Sequence, residues 1–348
     1  MSNEKITHSG ELKVDASVAD SDIRFPLDLN LLNKTREETE KLLDFLWENT
    51  GKGPVKPRSY RQEARKSYLT FAMKKKGRNH KKGCKKQLRY IRRNIHSING
   101  LKKKLHKQFK ELPSKLQERF EIINTIYKQQ LELSEGKRIK NRIVSFHQPF
   151  VRPIVRGKLG RKTEFGAKIN VSIFNGFARI NQLKWDAYNE GDYLKEQVQA
   201  YYDLYKHYPE KVLADKIYLT RSNRSYLKDL NIKIVGKPLG REPRKEPSRK
   251  KRRELQEEMG QRNEVEAFFG TCKRNYGLNN IRARRKDTSE SWIGMICLIF
   301  NLRKLLRKFS CAYTQVMIIF FDLRQNYEQK EGVIPVFNNI ALNQRMIA

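Results

Sequence analysis

Three acids in this chain are placed where carboxylates can act together. Asp15 lies in LKVDASVA, a short apolar stretch that reads as a strand. Aspartate is disfavoured inside a strand unless it has a partner, and a metal ion is one such partner. Asp215 closes the apolar run KVLAD, where the chain must leave a sheet. Carboxylates at the carboxyl ends of strands in α/β folds are well placed to meet ligands. Glu266 is flanked by Arg262 and Lys273, at i−4 and i+7, which puts all three on one helical stripe. Three converging carboxylates suit a hard divalent cation, Mg²⁺ or Mn²⁺. Two such ions about 4 Å apart can activate a water or hydroxyl and stabilise the leaving oxygen of a phosphodiester. That chemistry needs no covalent nucleophile. Blander readings compete. An Arg-x₃-Glu pair is usually a surface salt bridge worth under about 1 kcal/mol. Asp215 could be a turn residue.

These acids need elements to hold them. Leu12–Val18 reads as the first strand, and 20–26 as a polar turn ending in proline. Leu29–Trp47 has apolar residues at helical spacing and reads as a surface helix with one buried face. Ser114-Lys-Leu-Gln117 has the form of a capping box. Leu116, Phe120, Ile123 and Tyr127 follow as a helical stripe. Residues 29–135 therefore read as all-helical. From Ile139 the pattern changes. Ile143–Phe150, Val151–Arg156, Phe165–Phe174 and Phe177–Leu183 are rich in Val, Ile and Phe, and Asn175-Gly176 is a hairpin signal. Helix 193–205, strand 211–214, helix 222–230 and strand 232–235 then imply a sheet with parallel members. A basic, proline-bearing linker covers 241–253. A helix over about 254–276 carries Glu266, with Val265, Phe268 and Phe269 as its apolar face. A last amphipathic helix, 291–308, turns Trp292, Ile296, Ile299 and Phe300 inward.

The charge balance is extreme: 74 Lys plus Arg against 38 Asp plus Glu, net +36 in 348 residues. Such a field attracts polyanions, and nucleic acid is the first candidate. Residues 56–110 hold 21 of the cations and one acid, Glu63. Apolar residues interleave with them, as in a helix with a charged outer face. Lys74, Lys75, Lys76, Lys85, Lys86, Arg92 and Arg93 are its candidate DNA contacts. The bland alternative is a solvated basic face with no partner.

Other classes are disfavoured. Cys84, Cys272, Cys297 and Cys311 show no metal-knuckle or disulfide spacing. The start of the sequence has no apolar signal core, and no apolar run is long enough for a bilayer, so a soluble cytoplasmic protein without a membrane partner is expected. There is no Gly-rich phosphate loop, G-x-S-x-G or HExxH. His147 in SFHQPF reads as structural rather than as a ligand. Trp185 reads as core rather than as a base-stacking platform. Asp20, Asp22, Asp186 and Glu190 are rival carboxylates, with Asp22 the first substitute for Asp15.

Together the segments resemble bacterial insertion-sequence transposases of the acidic-triad (DDE) type. Those enzymes carry a Tyr, Arg, Glu, Lys signature around the third acid. Arg262, Glu266 and Lys273 match it within RNEVEAFFGTCKRNYGLNNIRAR, whereas Met259 stands at the Tyr position. VLADKIYLTRSNRSYL resembles the second-acid segment and LKVDASVADSDIRFPLDLNLLNKTRE the first. SFHQPFVRPIVRGK and LKWDAYNEGDYL resemble further segments of one branch. The resemblance implies an α/β, RNase H-like mixed sheet with flanking helices, interrupted by a helical insertion after the first strand. The expected division is 10–27 for that strand, 28–138 for the insertion, 139–309 for the rest of the catalytic domain and 310–348 for a tail. Asp15, Asp215 and Glu266 would be the catalytic, metal-holding acids. Arg262, Lys273 and Arg274 would join the basic block on DNA. The implied activity is nicking of transposon ends and strand transfer into target DNA, with Mg²⁺ or Mn²⁺, in a protein that is nucleoid-associated when bound. A dimer on paired ends is one arrangement this allows. Asp15 lies close to Met1, so the end-binding region that usually precedes the first acid is expected to be missing. A remnant that only binds DNA, and an RNA-binding protein, are the alternatives.

Overall fold

The computed structural model describes residues 7–50, 55–72, 77–107, 111–155, 163–236, 253, 256–257, 260 and 262–330. The chain forms two compact units, one ending at Cys297 and the other starting at Leu298.

The first unit is built on a six-stranded mixed sheet. Strand β1 (Glu11–Asp20) is central, because Leu12, Val14, Ala16 and Val18 alternate with polar residues and are all buried. On one side it pairs antiparallel with a strand formed by Thr163–Phe174. Numbered in chain order that strand is β3, since β2 (Arg152–Val155) precedes it and pairs with Thr163–Gly166. Strand β4 (Phe177–Lys184) pairs with the rest of β3, from Lys168 to Phe174. Asn175 (φ 48°) and Gly176 (φ 79°) make the tight turn between them, as the Asn-Gly pair predicts. Gly166 sits opposite Asp20, and a Cβ there would lie 1.9 Å from the Ala19 carbonyl oxygen. Glycine is what lets β3 approach β1 at that point. On its other side β1 runs parallel to β5 (Lys211–Leu213), which runs parallel to β6 (Lys233–Val235). The parallel members implied by the strand–helix alternation are present.

Among the described residues, four helices separate β1 from β2: α1 (Asp28–Asn49), α2 (Arg61–Ala72), α3 (Gly77–Lys107) and α4 (Ser114–Ser134). Leu42, Leu46, Ile98, Leu101, Phe120 and Ile123 form their shared core. Three expectations are corrected here. Helix α1 is not a one-faced surface helix: Thr35, Arg36, Thr39 and Glu40 are buried along with its leucines, because α3 and α4 both pack on it. Asn94 Nδ2 donates to Thr39 Oγ1 at 2.8 Å, and Arg36 pairs with Glu40 one turn on. The capping box does not form. Pro113 occupies the cap position, Leu116 and Gln117 donate to its carbonyl, and the Gln117 side chain accepts from Lys102 instead. Residues 143–150 are extended in composition but form no strand. Ile143 and Phe146 are drawn into the helical core, away from the sheet edge.

Behind the sheet lie α5 (Leu194–Tyr205) and α6 (Arg221–Asp229), which bury Val198, Tyr201 and Leu227 against Leu12, Val14 and Val212. Helix α7 (Asn263–Asn275) packs on β1 and β3 through Val265, Phe268, Phe269 and Cys272. Helix α8 (Lys286–Lys330) starts in this unit and buries Ile293, Ile296 and Cys297. The expected inward face is corrected: Trp292 is 43% and Ile299 42% exposed. Position 292 is turned about 100° from Ile293, which sets the buried stripe. The helix also runs past the expected end at 308, since no Gly or Pro interrupts it. No helix among the described residues is long and apolar enough to cross a membrane.

Candidate active site

The parallel register of β1 and β5 decides where two of the acids lie. Lys13 pairs with Leu213 at the end of β5. Two residues further along each chain come Asp15 and Asp215, neighbours at the carboxyl edge of the parallel strands. Helix α7 supplies the third acid. It is tied to β1 by Lys13, which donates to Glu264 at 2.7 Å and also pairs with Glu11 at 3.4 Å. Lys13 and Asp15 share one face of β1, so this tie sets α7 beside Asp15. Asp15, Asp215 and Glu266 line one cleft of about 810 Å³, together with Arg262 and Lys273.

Arg262 organises the acids. Its Nη1 lies 3.2 Å from Asp215 Oδ1, and its Nη2 donates to Glu266 Oε1 at 2.8 Å. Burial works against its charge, but the Glu266 hydrogen bond and the fields of Asp215, Asp15 and Glu266 outweigh it and hold its pKa above the ordinary arginine value. Asp15 is half-buried, the least exposed of the three acids. Desolvation pushes its pKa up to about 6; the Ala16 N–H and Arg262 oppose this, and Glu190 and Asp215 add to it. Asp15 Oδ1 accepts from the Ala16 amide at 2.9 Å, and Asp215 Oδ1 from the Lys216 amide at 2.7 Å. Asp215 and Glu266 are exposed on the cleft side.

The loop after Asp215 is anchored from below. Tyr218 is fully buried and its hydroxyl donates to Asn170 Oδ1 at 2.9 Å, which also accepts from Gln197 Nε2 at 2.8 Å. Asn170 lies on β3 opposite Ala16. Asn223 Nδ2 donates to the Tyr218 carbonyl and to Gly191. Strand β3, helix α5 and the loop are thereby joined.

Two cleft residues escaped sequence reasoning. Lys168 and Glu164, both on β3, line it. Alternation along β3 could have grouped them, but nothing in the sequence places β3 beside Asp15. Glu190, one of the rival acids, is also in the cleft, where it pairs with Lys168 at 2.8 Å. The other rivals are not among the cleft residues. Asp22 lines a separate cavity of about 690 Å³ with Lys34, Tyr68, His147, Arg282 and Arg284. Asp186 pairs with Arg152 at 3.5 Å. Trp185 is core: it is 6% exposed, stacks edge-on against Phe150 and donates to Glu290 at 2.8 Å. His147 is exposed and touches the edge of Phe146.

The basic block folds as expected over its described part. Lys85, Lys86, Arg92 and Arg93 are exposed on α3, opposite the buried Gln87, Leu88, Ile91 and Asn94. Arg93 lies over the Tyr60 ring at 4.4 Å, and Lys86 over Phe71 at 5.5 Å. Arg274 is exposed and is not among the cleft residues. Lys74, Lys75, Lys76, the Met259 position and nearly all of the 241–253 linker lie outside the described residues.

The donor set fits a hard divalent cation, since it is all carboxylate oxygen and its anions repel one another enough to help raise the Asp15 pKa. Among the described residues, no group of three or more His, Cys, Asp or Glu is drawn close enough to hold a metal ion. Arg262 spans two of the acids instead.

Residues 212–303, roughly a quarter of the chain, match the family described as transposase DDE domain. The match supports a DDE transposase. It covers Asp215, Arg262, Glu266 and Lys273, and leaves out Asp15. No curated protein and no solved structure matches the chain. A transposase domain implies DNA as the substrate and an enzyme of the nuclease or transferase kind.

Proposed function

We propose that this chain is the catalytic region of a Mg²⁺- or Mn²⁺-dependent DNA transposase with an RNase H-like fold. The observation that carries the reading is Arg262 joining Asp215 and Glu266 in the cleft that Asp15 also lines. The strand order supports the fold: three antiparallel strands end at β1, and two parallel strands follow on its other side.

In this reading Asp15, Asp215 and Glu266 hold the divalent ions. When bound, the ions supply activation of the attacking hydroxyl and charge stabilisation at the leaving oxygen. Arg262 and Lys273 hold the phosphates of the DNA end by charge-assisted hydrogen bonds. Tyr218 and Asn170 keep Asp215 in place. The exposed cations of α3 bind the duplex backbone without regard to sequence. Water first attacks a phosphodiester at the element's end, leaving a 3′-hydroxyl. That hydroxyl then attacks a phosphodiester of the target, joining the strands and releasing a new 3′-hydroxyl.

The test is nicking of DNA that carries the element's own ends, with Mg²⁺ or Mn²⁺. Asp215→Ala is expected to lower the rate at least ~10²-fold with duplex binding retained. Equal nicking by the variant would overturn the reading. The separation of the acids around Arg262 favours one second reading, a protein that only binds DNA. Salt-dependent binding with no metal-dependent cleavage would establish that instead.

A further inference from the structure

The second unit opens with a helical stretch of α8 whose apolar residues follow a strict heptad. From Ile299 they step by three and four residues to Leu302, Leu306, Phe309 and Tyr313. Val316, Phe320 and Leu323 continue the same alternation. Every one of the eight is between 42% and 71% exposed. A second row runs alongside at seven-residue intervals, through Leu298, Leu305, Ala312 and Ile319. Lys304, Lys308, Cys311, Thr314 and Gln315 fall on the other side, which near its end also carries Ile318 and Phe321, 55% and 62% exposed. The stripe is a pattern of residue types at fixed spacing, and it spans close to four heptads, enough for a coiled-coil seam.

We propose that this stripe is a self-association surface, on which α8 of a second copy of the chain packs as a coiled coil. The period selects the occupant. A repeat of 3.5 residues keeps its face toward another helix that supercoils with it, whereas a helix lying on a lipid surface follows the straight 3.6 period. The flanks select a second copy over a charged partner. The seven-spaced row beside the seam is apolar throughout, and the row on its other flank carries Arg303, Ser310 and Met317. No acid stands there to address a basic helix. In a parallel pair each Arg303 faces an apolar residue of the other copy, so like charges do not meet across the seam. A seam that offers the same apolar face from both sides closes on itself with two-fold symmetry. None of this depends on the transposase reading.

The experiment is sedimentation equilibrium of the full, nuclease-treated chain at high salt over a range of micromolar concentrations. The expected result is a mass of at least twice one chain, falling on dilution. Leu306→Glu with Phe309→Glu is expected to give a single-chain mass at every concentration. Thr314→Glu, opposite the seam, is expected to associate as the unmodified chain does. Far-UV circular dichroism on the double variant shows that the chain still folds. A chain that is monomeric throughout overturns the proposal, as does association that survives the double variant. Binding of the monomer to phosphatidylcholine–phosphatidylglycerol vesicles through Leu306 and Phe309 overturns it in favour of a lipid surface. All of these readings are made without DNA, so they leave the nicking test untouched.

Discussion

The guanidinium of Arg262 meets the carboxylate of Asp215 at 3.2 Å while it donates to Glu266 at 2.8 Å. One side chain thus satisfies two acids that come from different elements. In the proposed reading these oxygens are the ones a divalent ion would take, so arginine and metal would compete for them. These pairs are partly exposed, and each is worth under about 1 kcal/mol. Arg262→Gln is expected to lower the melting temperature of the chelator-treated protein by a few degrees. Mn²⁺ should bind the variant several-fold more tightly, read by electron paramagnetic resonance. Nicking should fall because a phosphate contact is lost. An unchanged Mn²⁺ affinity would show that Arg262 does not stand in for the metal.

Asp15 gives a pH dependence. Its pKa is about 6 in the folded chain and about 3.9 in an unfolded one. The folded state therefore holds the proton more tightly. The stability this contributes is fully present below about pH 4 and is lost as pH rises through about 6. The gap corresponds to at most about 3 kcal/mol. With chelator present, Asp15→Asn should melt with the unmodified chain near pH 4 and several degrees above it at pH 8. A variant less stable than the parent at pH 8 would contradict this account.

Tyr218 is a positioning residue. Tyr218→Phe removes the buried hydrogen bond to Asn170 and should cost about 1–2 kcal/mol in a urea unfolding series. Asp215 loses part of its support, so the metal concentration giving half-maximal nicking should rise. Loss of stability with no change in metal dependence would leave Tyr218 a core residue only.

The cations of α3 are expected to act on the backbone of DNA. Replacing Lys85, Lys86 and Arg92 with Ala should reduce the slope of log affinity against log salt by about 2 to 3 on any duplex. A weakening confined to one sequence would point to base contacts instead.

How much of this was legible before folding can be argued from particular residues. Asn175-Gly176 marked its hairpin because both positions need a positive φ, a property of the residues themselves. The helices between β1 and β2 were legible because Leu42, Leu46, Phe120 and Ile123 recur at helical spacing. The Ser114 cap failed because Pro113 took the start of the helix, a competition between neighbours that the motif ignores.

The sequence by itself determined which residues are charged, which stretches have helical or strand periods, and that Arg262, Glu266 and Lys273 share a stripe. These follow from residue type and from fixed backbone periods. Tertiary structure alone decided that Asp15 lies beside Asp215, 200 positions away, because strand register is set by long-range pairing. It also decided that Glu190 rather than Asp22 enters the cleft, and that Trp185 is buried against Phe150. Proximity in space between distant segments depends on which surfaces the core consumes, and no local pattern carries that information.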